Sequence, residues 1–470
     1  MRPPLLAAAL AAVLPLALAP AAQSQAPPAA EAVRLDYTEE TLPNGLKVVY
    51  HVDRSTPLVA TMLWYDVGSK HEQPGRTGFA HLFEHLMLFT GSRNVPEGRH
   101  FGILEAAGAR AGNDINGTTS ADRTNYFQQV PSHMLELALW LEADRMATLD
   151  EALNEAKLVN QREVVKNERR QGIDNQPYGR WMERMLAHVF PGGHPYRHPV
   201  VGSLEDLENA RLEEVKEFFR TYYVPNNAVL VVAGDIDVEA TRALVRRYFG
   251  PIPRGPEPPP LRDAALPPRI GAPAREVVED PNAPAPAVYL GFRVPATRDP
   301  RAAAVSVLAG YLADGRTSPL NRALVREKQV ATGVFSFNFE YSDGADLLVV
   351  GATGKPGGDP EALERALLAE MDGIAARIDE AGLQRVKAAT RFSLVNQLQG
   401  LGGFGGRADV LAEGWTVHRD AGWINRRLPE VDAVTVAGLR ALAAERLVPE
   451  NRVTLVFVPR GTATPTPARP

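Results

Sequence analysis

The 470-residue chain contains no cysteine. That absence excludes disulfide bonds, thiolate metal ligands and thiol nucleophiles, and with them lipid attachment through an N-terminal cysteine. An excess of positive charge is also missing: the formal net charge is −5, which argues against a nucleic-acid binder. Long apolar runs are equally scarce. Leu5–Leu18 is a run of Leu, Ala and Val broken by Pro15, and it is short for a membrane span. Arg2 precedes it, and Ala19, Ala21 and Ala22 follow. Residues 1–26 therefore read as an export signal, cut after Ala21, Ala22 or Ala26. The expected mature protein has no membrane span and is periplasmic or secreted. What remains is ordinary for a soluble protein, with 45% hydrophobic and 23% charged residues. The length calls for two or more domains.

One stretch organises the rest. His81 and His85 are four apart with Glu84 between them, and no Pro or Gly interrupts Phe79–Thr90. On a helix, positions i and i+4 share a face one turn apart, so both imidazoles can reach one metal ion. Glu84 projects beside the same face, where it can act on a metal-activated water. Phe79, Leu82, Phe83, Leu86 and Met87 make the surrounding helix strongly apolar, and a charged group in such a helix is costly unless paired or metal-bound. This is the inverted zinc-peptidase order, His-x-x-Glu-His. Catalytic zinc needs three protein ligands and one open position. The charged helix expected over Asn154–Gln171 offers Glu163 and Glu168 as the third. The two lie roughly 140° apart around a helix, so only one can face the metal. In this scheme Glu84 is the general base.

Along the chain, Asn44–Gly45 reads as a turn between strands. Leu58–Val67, Asn113–Thr119, Thr124–Val130 and Asn227–Gly234 read as further strands, and Ser132 as the cap of a helix reaching Met146. Residues 34–250 form the expected metal-bearing domain. Pro251–Ala274 carries nine prolines and reads as a stiff, extended linker. Residues 275–460 form a second domain, with a helix over Pro360–Glu380 among its elements, and 461–470 a disordered tail. The halves look duplicated. Tyr223–Val232 resembles Leu447–Val456 at an offset of 224. At that offset His81, Glu84 and His85 fall on Val305, Leu308 and Ala309, so the second copy keeps the scaffold without the metal.

His81–Gly91, Asn116–Ser120, Val164–Glu168 and Gly315–Leu320 together resemble the M16 metallopeptidase family, which includes pitrilysin, insulin-degrading enzyme and the mitochondrial processing peptidases. The resemblance spans essentially the whole mature chain and fits the half-sized subfamily. It implies an α+β fold of two similar domains, each a mainly antiparallel sheet packed with helices, that close a clam-like chamber. It implies one zinc ion per chain and endopeptidase action on extended or unfolded peptides. His81, His85 and Glu168 match the family's zinc ligands and Glu84 its base. Asn116, Gly117, Thr118 and Thr119 match the strand edge that pairs with substrate, a mode that tolerates many sequences.

Two departures stand out. Gln161 occupies a position where the family often has a second Glu. The stretch Ala345–Pro356, matching a family strand that carries an Arg and a Tyr toward the zinc, contains neither, although Tyr341 precedes it and Lys355 lies near its end. A homologous sister subunit could supply them, and a homodimer or a non-catalytic scaffold subunit are the competing readings. His194 and His198 read as structural, and the glycine-rich Gly400–Gly406 as a hinge or lid.

Overall fold

The structure, a computed structural model, describes residues 34–262 and 264–460. The expected signal segment and tail lie outside the described residues. Among the described residues, eleven strands make two sheets. The first contains β1 (Thr38–Thr41), β2 (Lys47–Val52), β3 (Leu58–Tyr65), β4 (Ile115–Thr119), β5 (Thr124–Pro131) and β6 (Ala228–Gly234), in the order β1-β2-β6-β3-β5-β4. The second contains β7 (Ala274–Asp280), β8 (Ala287–Val294), β9 (Ala331–Phe339), β10 (Asp346–Gly354) and β11 (Arg452–Pro459), in the order β7-β11-β8-β10-β9. The central strands β6 and β8 are buried at every residue, as strands covered on both faces are; β8 holds one charge, Arg293, whose guanidinium donates to the Val189 carbonyl. Pairing is antiparallel except where β2 meets β6 and β7 meets β11, so each sheet is mixed while remaining mainly antiparallel. The succession β6-β3-β5-β4 recurs as β11-β8-β10-β9, which is the duplication written into the sequence.

Four helices frame the first sheet near its β4 edge: α1 (Phe79–Phe89), α2 (Arg99–Ala106), α3 (Leu135–Ala152) and α4 (Glu155–Arg169). Leu82, Phe83, Leu86 and Met87 of α1 enter one core with Leu63, Tyr126, Leu139, Leu158 and Val165. The expected cap at Ser132 is displaced. Ser132–Met134 forms a short 3₁₀ turn, and α3 starts at Leu135 without a side-chain cap. Ser132 instead directs its hydroxyl toward Asp235. The single helix expected over Pro360–Glu380 is broken at Gly373, with helices at Pro360–Asp372, Ile374–Arg377 and Glu380–Gln397.

The halves trade helices. Trp181–Val189 packs Met185, Leu186 and Val189 against Val278, Tyr289, Leu347 and Leu455 of the second sheet. Gly291 leaves the room, since a Cβ there would fall 2.3 Å from Met185 Sδ. In return, Arg407–His418 lies on β3 and β6 of the first sheet. Asp409 on that helix accepts the Trp64 indole N–H at 3.0 Å, and Arg407 pairs with Asp53. A buried ion cluster adds a further tie: Lys70 Nζ lies 2.9 Å from Asp122 and 2.8 Å from Asp343, and the Tyr196 hydroxyl donates to Asp122 at 2.6 Å.

Candidate metal centre

α1 begins at Gly78, whose φ is +92°. A Cβ here would be strained and would sit 2.7 Å from the Val201 carbonyl. Glycine cannot cap the helix with a side chain, so its first amides need another acceptor. Glu72 supplies it. One carboxylate oxygen accepts the Gly78 N–H and the other the Ala80 N–H, both at 2.8 Å. The Glu72 side chain is fully buried. Burial pushes its carboxyl up to about 8, while the amides of Ala80 and Gly78 pull it down. Beside it, Asp206 accepts the Thr77 amide at 2.9 Å.

Two turns of α1 present the imidazoles. The His81 and His85 rings stand perpendicular, with centroids 4.9 Å apart. α4 crosses in the opposite direction: Lys157 near its start bonds the Thr90 carbonyl at the end of α1, at 2.7 Å. Asn154 caps α4 by accepting the Lys157 amide at 3.0 Å, and Leu158, Gln161 and Val165 bury its inner face. The same face brings Glu168 to the histidines. Its Oε2 lies 3.2 Å from His85 Nε2 and 3.7 Å from His81 Nε2. Glu163 points elsewhere, bonded to Lys166 Nζ at 2.7 Å.

These separations suit a metal. Zinc bonds of about 2.0–2.1 Å in a tetrahedron hold ligand atoms about 3.3 Å apart. Two imidazole nitrogens and a carboxylate are donors that zinc accepts. Burial first, and His85 second, push His81 down to about 4, so its lone pair is free at neutral pH. The hydrogen bond to His85 holds Glu168 below its ordinary value, against the effect of burial. The Nδ1 atoms of both histidines are buried without a partner in the described structure.

Glu84 is placed differently. Its Oε2 accepts the Thr119 hydroxyl at 2.6 Å, leaving Oε1 without a hydrogen bond among the described residues. Burial raises its carboxyl, opposed chiefly by that Thr119 bond. Thr119 belongs to β4, the outermost strand of the first sheet. The Gln129 amide bonds the Asp114 carbonyl and the Ser120 amide the Arg123 carbonyl. By antiparallel alternation, the backbone groups of Asn116 and Thr118 then face β5, and those of Gly117 and Thr119 face outward. The Gly117 N–H is held by Asn116 Oδ1 at 2.9 Å. A Cβ on Gly117 would lie 3.0 Å from the Tyr126 ring and 3.2 Å from Leu88, so glycine lets α1 approach the edge closely. Asn116, Gly117, Thr118 and Thr119 thus lie on an edge strand whose outward backbone groups are those of Gly117 and Thr119, with the Gly117 N–H engaged and Thr119 touching Glu84.

The other candidates stand apart. His198 Nδ1 is 3.6 Å from Glu72 Oε2, behind the start of α1, and His194 stacks on Phe190. Tyr341 is buried against Tyr196, ring centroids 4.4 Å apart, while Lys355 is exposed just past β10. Sequence reasoning missed Glu72 and the Thr119–Glu84 bond. Glu72 stands six residues before Gly78, too far for any local capping pattern to reveal.

The family model described as Insulinase (Peptidase family M16) matches residues 47–200, and that described as Peptidase M16 inactive domain matches residues 209–390. The zinc protease PqqE of Helicobacter pylori is 31% identical over 369 residues, covering 76% of this chain and 79% of that protein. The chain belongs to peptidase family M16. The crystal structure of a protease from Helicobacter pylori superposes with a TM-score of 0.83 at 27% identity, covering 91% of this chain and all of that one. The structure described as the peptidase M16 inactive domain from Pseudomonas fluorescens shares the fold, with a TM-score of 0.77 at 19% identity over 92% of this chain and 100% of that one. The inactive-domain match in this M16 chain begins at residue 209 and so includes β6, the strand between β2 and β3 in the first sheet.

Proposed function

We propose that this M16 chain is an exported zinc endopeptidase with His81, His85 and Glu168 as metal ligands and Glu84 as general base. The observation that carries the reading is the convergence of both Nε2 atoms on Glu168 Oε2. Zinc, when bound there, supplies the charge that polarises a peptide carbonyl and acidifies water. The chain's own groups supply the rest. Thr119 fixes one oxygen of Glu84 and leaves the other to take a proton from the attacking water and return it to the leaving amine. Burial raises the proton affinity of Glu84 toward the working range of a base. An extended peptide pairs with the outward backbone groups of Gly117 and Thr119, which grip main chain without reading side chains.

Export rests on the segment before residue 27. Among the described residues no helix is long and apolar enough to cross a membrane. The companion reading is that a homologous subunit completes the site. It is supported by the placement of the two residues flanking β10 in the sequence, a buried Tyr341 and a Lys355 beyond the strand's end. The test is made on pure protein. One zinc per chain should be found by elemental analysis, and an unstructured peptide should be cut, with loss on chelation and recovery on adding zinc. Zinc without cleavage, restored by a homologous chain, favours the two-subunit form. A protein that neither holds zinc nor cleaves alone or in mixture is a scaffold, and the proposal fails.

A further inference from the structure

The glycine-rich loop Gly400–Gly406 is not used by the chemistry above, yet it is closely built. Leu401 is buried, and the Gly402 amide donates to Gln129 Oε1 of β5 at 3.1 Å. The Gly405 amide donates to Asp409 at 2.8 Å, and Arg407 N–H closes back on the Gly400 carbonyl at 2.9 Å. The glycines are required by this path. Gly403 and Gly405 have φ of +72° and +73°. A Cβ on Gly402 would lie 2.8 Å from Ala60, and one on Gly406 2.3 Å from the Gly402 carbonyl.

What the loop presents is Phe404. Its ring stands edge-on to Phe127, centroids 5.0 Å apart at 85°. Phe127 is buried, but Phe404 remains 59% exposed. Phe127 is the register partner of Asn116 on the edge strand β4. Directly opposed residues of an antiparallel pair point to the same face, so Phe404, Phe127 and Asn116 share one face. Adjacent strands lie about 4.8 Å apart, so a peptide paired with β4 runs about 10 Å from β5, within reach of a large side chain and this ring. The polar groups next to Asn116 on that face are uncharged or engaged: Thr118 bonds Asn125, and Arg123 bonds Thr118 and lies over Trp64.

We propose that Phe404 is a specificity-determining residue, the wall of a subsite for one large apolar side chain of an extended peptide, projecting on the Asn116 face. This rests on the reading of β4 as the substrate-pairing edge. The occupant is a side chain of the substrate, because the ring is continuous with that edge and is placed by a loop rigid in its bonds.

The experiment uses full-length zinc-loaded protein and a set of internally quenched peptides in which Phe or Ala is scanned through each position flanking the cut bond. Wild type should favour Phe at one position by about 10-fold or more in kcat/KM, a normal reward for filling an apolar pocket. Phe404→Ala should reduce that preference to within about 2-fold, with zinc content unchanged. Phe392→Ala, which removes another exposed ring (75% exposed) outside this face, should change nothing. Preference retained in Phe404→Ala overturns the subsite alone, as does an equal loss on every peptide. A shift in oligomeric state by light scattering with preference intact would assign the ring to a contact between copies and also overturn it. Absence of cleavage in wild type, alone or with a homologous chain, would instead overturn the endopeptidase reading itself.

Discussion

Thr119 joins two tasks in one residue. Its outward backbone lies where a peptide would pair, and its hydroxyl holds Glu84 at 2.6 Å. In the proposed mechanism, strand pairing and orientation of the base are thereby linked. Thr119→Val should lower kcat by about 10- to 100-fold while zinc content stays at one per chain, because only the hydrogen bond that orients the base is lost. Thr119→Ser should restore most of the rate. Equal kcat in the valine and wild-type proteins would remove Thr119 from the mechanism. His71 shows a different residue-scale effect. Burial, reinforced by Lys70, pushes its imidazole down to about 4, against about 6.5 in an unfolded chain. A depressed histidine favours the folded state fully above the unfolded value, and the benefit shrinks as pH falls from about 6.5 to about 4. The lost stability is on the order of 3 kcal/mol. His71→Gln should therefore flatten the fall of Tm with acidification over that window, measured by calorimetry. An unchanged slope would show that His71 is not the titrating group.

At the scale of the element, α1 depends on a distant carboxylate. Glu72→Ala removes the acceptors of two buried amides, which costs about 1–3 kcal/mol, and it frees the end of the helix that carries His81. Glu72→Ala should lower Tm and weaken zinc binding together, and Glu72→Gln should do less, since one acceptor oxygen remains. Retained zinc affinity in Glu72→Ala would show that the helix is held by packing alone. Much of α1 was legible beforehand. The i, i+4 histidines, the uninterrupted apolar run and the charged helix starting at Asn154 are local patterns that propensity rules read well. The choice between Glu163 and Glu168 was not settled by spacing, because which face of α4 meets α1 is a tertiary fact. β7 and β9 escaped notice for a related reason. They are outer strands, half exposed, with charge or glycine where a central strand has Val and Leu. The traded helices Trp181–Val189 and Arg407–His418 could be seen as amphipathic segments at best. Nothing in them names the sheet they will cover.

At the scale of the whole molecule, that trade makes the two halves depend on each other. Residues 34–262 alone would leave the β3–β6 face without Arg407–His418 and leave Met185, Leu186 and Val189 without the second sheet. The same cut would leave the Lys70–Asp122 pair without its second carboxylate, Asp343. The isolated segment should therefore lack a cooperative thermal transition, whereas the full chain should melt as one unit. A sharp, reversible transition in residues 34–262 would show that the first half folds without the second. One measurement addresses the proposed metal centre most directly: zinc per chain, by elemental analysis, in Glu168→Gln, Glu163→Gln and Glu84→Gln proteins of equal melting temperature. Glu168→Gln should lose most of its zinc, and Glu163→Gln should keep it. Glu84→Gln should also keep it while losing peptidase activity by about 10²- to 10⁴-fold, the usual reach of a general base. Full zinc in Glu168→Gln, or loss of zinc in Glu84→Gln, would contradict the assignment of ligand and base.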